Sequence, residues 1–328
     1  MVAEPSRKGN SVSVVICTKD RPADLTRAIA SIRDSGDAGR RAEIVVVEES
    51  DAPRQIPSVR YVHLPRGGRG FGYARNAGIR EARGDLVLFM DDDCEAERGW
   101  IEALTAPLQS DANVVGVAGA VRVRDCGLIG YAENILGFPG GGLRYLHDAQ
   151  GRVVPTRYLS TCNCAYRRKA VLEVGGFVEN ARWGAEDSLL AERINAHGPC
   201  VYAPDAVVYH RPRNSLPAVF SWFVRRGQSE IGFLKATPSF WRSASYLLRS
   251  SLAIRGLALV VVLANWPRLI WLLPAVVLLY VAGILWRFRF ASAYPIHQRA
   301  LWLVPIVKLT MDIGTEAGRW KAMLAQRS

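Results

Sequence analysis

The chain has 328 residues, of which 49% are hydrophobic and 22% are charged, and its mean hydropathy is slightly positive. This composition excludes a disordered or collagen-like chain, and the length predicts about two domains. The net charge of +12 comes from 36 arginines and 6 lysines against 30 acidic residues. It leaves nucleic acid, a membrane surface and phosphorylated small molecules open as partners.

The six cysteines are predicted to be reduced thiols. The first ten residues are polar and contain no apolar signal segment, so we expect a cytosolic domain rather than a disulfide framework. Cys162 and Cys164 are spaced C-x-C with no second pair nearby, which favours buried thiols over a zinc site.

The first half of the chain alternates short apolar runs with segments of helical spacing. The runs that predict strands are residues 13–17, 43–47, 59–64 and 85–90, and predicted helices follow Pro22 and cover about 73–82. This alternation predicts an α/β layer with a mostly parallel sheet. Because ligands bind at the carboxyl ends of such strands, the polar clusters 18–21, 48–51 and 91–93 mark the expected site.

Three adjacent aspartates, Asp91, Asp92 and Asp93, follow the fourth apolar run. Their carboxylates repel one another unless a cation or hydrogen-bond donors compensate. In an extended chain Asp91 and Asp93 point to the same side, which suits Mn²⁺ or Mg²⁺ completed by the phosphates of a substrate. A solvated acidic turn or a helix N-terminus is the alternative.

Seven segments of the chain, taken in order, resemble the family 2 glycosyltransferases of the GT-A fold. They are residues 14–21, 46–50, 74–79, 84–93, 163–168, 175–177 and 183–187. The resemblance covers about residues 11–228 and implies a GT-A-type, Rossmann-like α/β domain with a mostly parallel mixed sheet over residues 1–235. It also implies that the protein transfers a sugar from a nucleotide diphosphate sugar.

The resemblance further implies which side chains bind the donor and the metal. Those implied for the donor are Thr18, Arg21, Glu48, Arg75, Asn76 and Asp92, and those implied for Mn²⁺ or Mg²⁺ are Asp91, Asp93 and His210. Glu48 stands where the family usually has Asp, which leaves UDP, GDP and dTDP open. The metal would act as a Lewis acid on the departing nucleoside diphosphate. By residue type alone, Arg75 also fits a solvated helix face and His210 a structural histidine.

The same resemblance implies that Asp187 is the general base of an inverting transfer, with Glu186 supporting it or orienting the acceptor. By residue type alone, paired acids at this point fit a helix N-terminus equally well. The candidates for acceptor binding are Trp183, Asn163 and Arg225. The Gln-x-x-Arg-Trp motif of processive relatives is missing near residue 228, so transfer of one or a few sugars is expected.

The last part of the chain, residues 236–328, is predicted to be a membrane-associated helical region. Residues 269–286 carry no charge, and residues 252–267 are similarly apolar, so a two-span hairpin over about 252–286 is expected, followed by an interfacial helix over about 300–316. Flanking arginines place both chain ends, and the catalytic domain, on the cytoplasmic side of the cytoplasmic membrane. The acceptor is then expected to be lipid-linked or membrane-proximal. A buried helical hairpin in a soluble domain is the alternative.

Two other classes of protein are alternatives to a glycosyltransferase. A catalytically weak membrane scaffold or partner-binding protein would explain Glu48, but unused buried carboxylates are costly. A nucleotidyltransferase predicts a glycine-rich phosphate loop after the first strand, and residues 18–22 contain no glycine. No finger, RRM signature or basic helix indicates nucleic-acid binding.

Overall fold

The computed structural model describes residues 11–179, 184–236 and 240–325, and these form two compact units. Of the described residues, unit 1 contains those within 1–122, 149–180 and 186–210. Unit 2 contains those within 123–148, 181–185 and 211–328. This division differs from the expected boundary at residue 235, because the segments 123–148 and 211–236 group with the C-terminal helices.

Unit 1 is built on a sheet that has nine strands in the described part of the chain. They are β1 (Val12–Lys19), β2 (Glu43–Ser50), β3 (Arg60–Pro65), β4 (Leu86–Met90), β5 (Cys94–Ala96), β6 (Gly116–Arg122), β7 (Val154–Pro155), β8 (Asn163–Arg167) and β9 (Cys200–His210). Their order is β3-β2-β1-β4-β8-β6-β9-β5, with β7 beside β9. The first four neighbours are parallel, β8 is antiparallel to β4 and to β6, and β9 is parallel to β6. The mostly parallel mixed sheet predicted from the sequence is confirmed.

The helices of the described residues are numbered in chain order. Those of unit 1 are α1 (Pro22–Asp34), α2 (Asp37–Arg41), α3 (Phe71–Glu81), α4 (Trp100–Ser110), α7 (Arg168–Glu173) and α8 (Glu186–His197). Those of unit 2 are α5 (Leu128–Ile135), α6 (Gly142–Ala149), α9 (Leu216–Ala236), α10 (Phe240–Ser250), α11 (Leu252–Asn265), α12 (Leu273–Arg287), α13 (Pro295–Ala300) and α14 (Val304–Leu324). Three short 3₁₀ helices cover Pro267–Leu272, Arg289–Ala293 and Leu301–Leu303.

The core of unit 1 explains why its strands are nearly continuous apolar runs. Strand β4 is buried at every position, so both of its faces are covered. Helix α3 approaches the sheet closely at Gly78, where a Cβ atom would collide with the side chain of Val15 and come within 3.3 Å of Val47. Glycine at this position therefore lets α3, which carries Arg75, lie directly against β1 and β2.

The core of unit 2 lies among the helices that flank its apolar segment. Helices α9 and α14 pack along each other, and at Gly318 a Cβ atom would collide with the backbone carbonyl of Val224. The buried Arg319 of α14 lies 2.6 Å from Glu230 of α9, so a charged pair also joins the two helices. The interfacial helix expected at about 300–316 is thus the first part of a longer, half-buried helix.

The apolar segment itself is exposed in this structure. Helices α11 and α12 contain no buried residue, which contradicts the alternative of a buried hairpin in a soluble core. Residues Pro267–Arg287 form one continuous helical stretch of 21 residues that is long and apolar enough to cross a membrane. The first expected span corresponds to α11, which has 14 residues and passes the same test of length and composition only together with Ala244–Ser250 of α10, from which it is bent by 62°. Within the described residues, only the second expected span is therefore long enough by itself.

Candidate active site

The carboxylates that follow β4 are held by the end of β1, its parallel neighbour in the sheet. The buried side chain of Asp92 accepts a hydrogen bond of 2.7 Å from the Thr18 hydroxyl. Nη1 of Arg21 lies 3.1 Å from Oδ1 of Asp92 and 3.0 Å from Oδ2 of Asp93. The structure therefore brings together three of the residues expected to bind the donor, Thr18, Arg21 and Asp92.

The pKa values of two of these aspartates reflect the crowding of negative charge. Burial raises the pKa of Asp91, Arg75 opposes this effect, and the neighbouring charge of Asp93 adds to it. Burial also raises the pKa of Asp92, against its hydrogen bond from Thr18 and the charge of Arg21. A divalent cation would stabilise the ionised carboxylates, which is the electrostatic environment of a site that binds metal and phosphate together.

One group of side chains in the described part of the chain is compact enough to hold a metal ion. It consists of Asp93, Cys94 and His210, whose ligand atoms all lie within 4.8 Å of one another. Two of the three expected metal ligands are therefore neighbours, while Asp91 lies outside this group with its Oδ1 3.6 Å from Nη2 of Arg75. Carboxylate oxygen, imidazole nitrogen and thiol sulfur are all ligands of divalent metal ions, so the group fits such an ion. Sequence reasoning missed Cys94, although it directly follows the aspartate triplet.

Arg75 lies between carboxylates rather than on a solvated helix face. Its buried guanidinium forms an ion pair with Glu186 and approaches Asp91, and the rings of Phe71 and Phe177 lie 5.4 and 5.7 Å from its Cζ. Burial alone lowers the pKa of Arg75, but the charges of Glu186 and Asp91 outweigh it and raise that pKa overall. Arg75 therefore joins the end of β4 to the start of α8.

Asn76, the neighbour of Arg75, uses its side chain to hold a backbone segment. Its amide nitrogen donates to the carbonyl of Phe177 and to Glu179, both at 2.9 Å, and its oxygen accepts from the Phe177 N–H at 2.8 Å. These bonds fix the ring of Phe177 beside Arg75. The described hydrogen bonds of Asn76 thus hold the backbone at Phe177, next to Arg75, in place.

Glu48, near the end of β2, is buried, and both of its carboxylate oxygens accept hydrogen bonds. Arg54 donates to both of its carboxylate oxygens at 2.7 and 2.8 Å, and the Tyr61 hydroxyl donates to Oε2 at 2.8 Å. Arg54 and Tyr61 come from the segment after β2 and from β3, and nothing in the local sequence pairs them with Glu48. The Glu48 side chain, which is longer than the Asp that the family usually has here, is therefore held in one position by bidentate hydrogen bonds from Arg54.

Glu186 and Asp187 are the first two residues of α8, as expected, and follow two residues with positive φ, Gly184 (98°) and Ala185 (71°). The partly exposed Asp187 accepts the N–H of Ser188 at 2.7 Å through Oδ1. Glu186 is buried, and its Oε2 has no hydrogen-bond partner among the described residues. The charge of Asp187 contributes to the raised pKa of Asp91, so the two carboxylates lie close enough to interact.

The three candidates for acceptor binding lie in different parts of the chain, and the structure describes two of them. Asn163 is buried, accepts from Trp100 Nε1 at 2.8 Å and donates to the carbonyls of Ala120 and Ala206. Because these bonds occupy its side chain, we leave Asn163 out of the proposed acceptor site. Arg225 is an exposed residue of α9 in unit 2, and Trp183 lies outside the described residues.

Comparison with known proteins agrees with this fold. The model of the family "Glycosyl transferase family 2" matches residues 13–175. Pre-mycofactocin glycosyltransferase of Mycobacterium tuberculosis is 28% identical over 230 residues, which cover 66% of this chain and 45% of that protein. Glucosyl-dolichyl phosphate glucuronosyltransferase of Haloferax volcanii is 29% identical over 186 residues, covering 52% of this chain and 56% of that protein. The chain thus spans about half the length of these relatives.

Among solved structures, the mannosyltransferase PcManGT from Pyrobaculum calidifontis, in complex with GDP-Man and Mn²⁺, matches with a TM-score of 0.58. The match covers 96% of this chain and 89% of that one, and at 19% identity it is a likeness of fold. The sheet order and its acidic carboxyl edge define an α/β domain of the GT-A type. Residues 13–175 are a domain of glycosyl transferase family 2, so the resemblance read from the motifs is confirmed for that domain.

Proposed function

We propose that the protein is a metal-dependent, inverting glycosyltransferase that transfers a sugar from a nucleotide diphosphate sugar to a lipid-linked or membrane-proximal hydroxyl or phosphate. The observation that carries the proposal is the chain of contacts from Asp91 through Arg75 to Glu186. This chain connects the acidic end of β4, where a donor would bind, to the start of α8, where Asp187 would act as base. The absence of a Gln-x-x-Arg-Trp motif near residue 228 favours transfer of one or a few sugars.

The donor half of the proposed site consists of the ends of β1, β2 and β4. Thr18 and Arg21 fix Asp92, the side chain expected near the ribose, and the locked carboxylate of Glu48 stands where the base would be read. Arg54 donates to both oxygens of Glu48, and Tyr61 donates to one of them. The carboxylate would therefore accept a hydrogen bond from an N–H group of the nucleobase only through the lone pairs that Arg54 and Tyr61 leave open. UDP, GDP and dTDP all carry an N–H on the base that meets this requirement.

The metal half of the proposed site includes Asp93 and His210, which would bind Mn²⁺ or Mg²⁺ directly. Mn²⁺ is supported by the solved mannosyltransferase complex of the same fold. When bound, the ion would neutralise the charge of the departing diphosphate. The role of Arg21 is to hold Asp93 by its other oxygen and so keep Oδ1 directed toward His210.

Asp187 is the side chain to which we assign the role of general base. Its Oδ1 already accepts the Ser188 N–H, and within the described residues its Oδ2 forms no hydrogen bond, so Oδ2 is the atom that would take the proton of the acceptor hydroxyl. Glu186 is less suited to this role, because it is buried and its ion pair with the cationic Arg75 stabilises the ionised carboxylate against taking up a proton. Its other oxygen, Oε2, is a buried acceptor that a hydroxyl of the bound acceptor would satisfy.

A membrane location is supported by the exposed apolar helix of unit 2. The helical stretch Pro267–Arg287 contains no charged residue between positions 269 and 286, and Trp266 and Trp271 near its start are 62% and 84% exposed. Tryptophan is enriched at membrane–water interfaces, and Arg287 is the last residue of the helix while Arg289 follows it. We therefore place the protein on the cytoplasmic membrane with unit 1 in the cytoplasm, and this location motivates an acceptor that is lipid-linked or held at the membrane.

The experiment that tests the function is a donor screen with the full-length protein in detergent or native membranes. Release of nucleoside diphosphate is measured for UDP-, GDP- and dTDP-sugars with polyprenyl phosphates and glycolipids as acceptors. One donor is expected to turn over with Mn²⁺ and to stop turning over with EDTA. The Asp187→Asn variant is expected to lose about 10²- to 10⁴-fold in kcat, because it removes the base.

The matched control for Asp187→Asn is Asp205→Asn, which neutralises an exposed aspartate of β9 and should leave turnover unchanged. Donor affinity, measured by calorimetry, should be the same in both variants. If Asp187→Asn retains full activity, the mechanism is wrong. If no nucleotide sugar binds with or without metal, the membrane scaffold is the better explanation of the fold.

A further inference from the structure

The part of the chain that contains the apolar helices has an uneven distribution of charge. Residues 231–311 include seven arginines and two lysines but no aspartate or glutamate, so all 30 acidic residues lie in the other 247 positions. Arginine and lysine orient a membrane protein, and acidic residues contribute little to that orientation. The complete absence of acidic residues is therefore not needed for orientation. It suits a segment that lies against a negatively charged surface, which would repel each carboxylate.

Six arginines of this segment are exposed at the surface of unit 2. Arg268 lies in the connection between α11 and α12, and the other five are at positions 249, 255, 287, 289 and 299. Among the described residues, none of the six forms an ion pair with a carboxylate. Their charges are therefore available to an anion outside the chain.

The start of α11 and the end of α12 carry these arginines to the same side of the apolar helices. The charges of Arg255, in the first turn of α11, and of Asp312 in α14 both act on the hydroxyl of Tyr280, in the second half of α12. The chain thus reverses direction between α11 and α12, and both helices lie beside α14. Because α12 continues for about two turns beyond Tyr280, Arg287 and Arg289 follow on the side where α10 ends and α11 begins.

Exposed tryptophans stand beside these arginines. Cζ of Arg289 lies 4.6 Å from the centre of the Trp286 ring, and Trp286 is 68% exposed. Trp241, in the first turn of α10, is 80% exposed. Tryptophan is enriched at the depth of lipid headgroups, and a guanidinium pairs with a phosphate through two parallel hydrogen bonds. A nucleic acid or an acidic protein would leave the neighbouring apolar helices in water, so a bilayer fits this combination best.

The bend between α10 and α11 is held by side chains of α14. Glu316 accepts hydrogen bonds from the Ser251 hydroxyl at 2.7 Å and from the Leu252 N–H at 3.3 Å, and Arg319 donates to the Ser250 hydroxyl at 2.9 Å. These bonds hold the angle of 62° between the end of α10 and α11. With α11 directed into a bilayer, α10 would run closer to the bilayer plane than to its normal, which places the exposed side chains of α10 at the depth of the headgroups.

We propose that unit 2 binds a bilayer leaflet that contains anionic phospholipids, through a basic–tryptophan surface. This surface consists of Trp241, Arg249, Arg255, Trp286, Arg287 and Arg289. The lipid phosphates pair with the guanidinium groups, and the tryptophan rings enter the headgroup region. The proposal rests on the membrane location in the proposed function and adds the class of lipid that binds the protein there. It does not depend on which sugar is transferred.

The test is the partition of the purified full-length protein from diluted detergent into preformed vesicles, measured by flotation. Vesicles of phosphatidylcholine are compared with vesicles in which a third of the lipid is phosphatidylglycerol. We expect a partition coefficient at least about tenfold higher for the anionic vesicles at low salt, since each arginine near such a surface contributes about fivefold. At about 1 M salt the Debye length is about 3 Å, so this preference should disappear.

Variants identify the surface that is responsible. Arg287→Gln/Arg289→Gln should lower partition into anionic vesicles by about 10- to 30-fold and leave partition into phosphatidylcholine unchanged. Arg287→Lys/Arg289→Lys should retain most of the preference, because it keeps both charges. The matched control, Arg40→Gln/Arg41→Gln, removes two exposed arginines of α2 in unit 1 and should have no effect.

The comparison of lipids and salt uses the wild type, so the proposal stays testable if a variant does not fold. Equal partition into both kinds of vesicle, or an equal loss in the unit 1 control, would overturn the proposal and leave the membrane location intact. Binding to polyaspartate or to single-stranded nucleic acid without binding to anionic vesicles would also overturn it. Release of nucleoside diphosphate in detergent measures the proposed function separately, so failure of one is distinguishable from failure of the other.

Discussion

The buried pair of Arg75 and Glu186 offers a direct test of how the two ends of the site are held together. Replacing Arg75 by methionine keeps most of the side-chain volume but leaves Glu186 without its partner. The side chains of the pair are only 8% and 7% exposed. Breaking such a pair from one side costs about 3–5 kcal/mol, because the remaining charge is buried and uncompensated. Loss of the contacts with Phe71 and Phe177 adds to that cost.

The expected loss is large enough to measure by thermal unfolding of the full chain in detergent. For a domain of the size of unit 1, 1 kcal/mol corresponds to about 2–4 °C, so Arg75→Met should lower the Tm by about 6–20 °C. Arg80→Met is the matched control on the same helix. Its side chain is 56% exposed and approaches Glu179 only at 4.0 Å, so it should shift the Tm by no more than about 2 °C.

The double variant Arg75→Met/Glu186→Met separates loss of the pair from loss of packing. Removing both charges should restore much of the Tm, since an apolar replacement of a buried pair is often neutral. A double variant as unstable as the single one would show that Glu186 is not the reason for the loss. A shift of under about 2 °C for Arg75→Met alone would refute the electrostatic link between β4 and α8.

Two further predictions concern other parts of the molecule. Leu278→Arg, in the exposed middle of α12, should reduce the membrane-bound fraction after flotation, since a central arginine costs about 2.5–3.5 kcal/mol in a bilayer, whereas Leu172→Arg in unit 1 should not. Equal flotation of both variants would contradict insertion of α12. Trp100→Phe should lower stability by about 1–3 kcal/mol, because it leaves the buried Oδ1 of Asn163 without its donor. An unchanged Tm would mean that another donor replaces Trp100 Nε1 at Oδ1 of Asn163.

The parts of the site that the sequence predicts well are those at the ends of adjacent parallel strands. Thr18 and Asp92 are 74 residues apart, yet both follow apolar runs, and the tendency of such runs to pair in parallel is enough to bring them together. The position of Glu186 and Asp187 at the start of a helix follows in the same way from local rules.

The parts that it does not predict depend on register and on packing between distant segments. Cys94 becomes a neighbour of His210 only because β5 pairs antiparallel with the end of β9, in a register that no local pattern specifies. Arg54 reaches back to Glu48 from an irregular segment. Asn163 matches a family motif, but the sequence does not predict its hydrogen bonds with Trp100 and with the carbonyl of Ala120, which come from distant segments.

The charge of the site is the reason that, in the proposed function, a protein of net charge +12 would still need a cation to bind a diphosphate. The carboxylates of residues 91, 92, 93, 186 and 187 are contacted by two arginines only, Arg21 and Arg75, in the contacts described here. When these five carboxylates are ionised, their negative charge exceeds the positive charge of the two arginines, and this excess opposes the binding of a nucleotide diphosphate. In the proposed function, the metal would therefore be needed for the donor to bind, before it contributes to the departure of the leaving group.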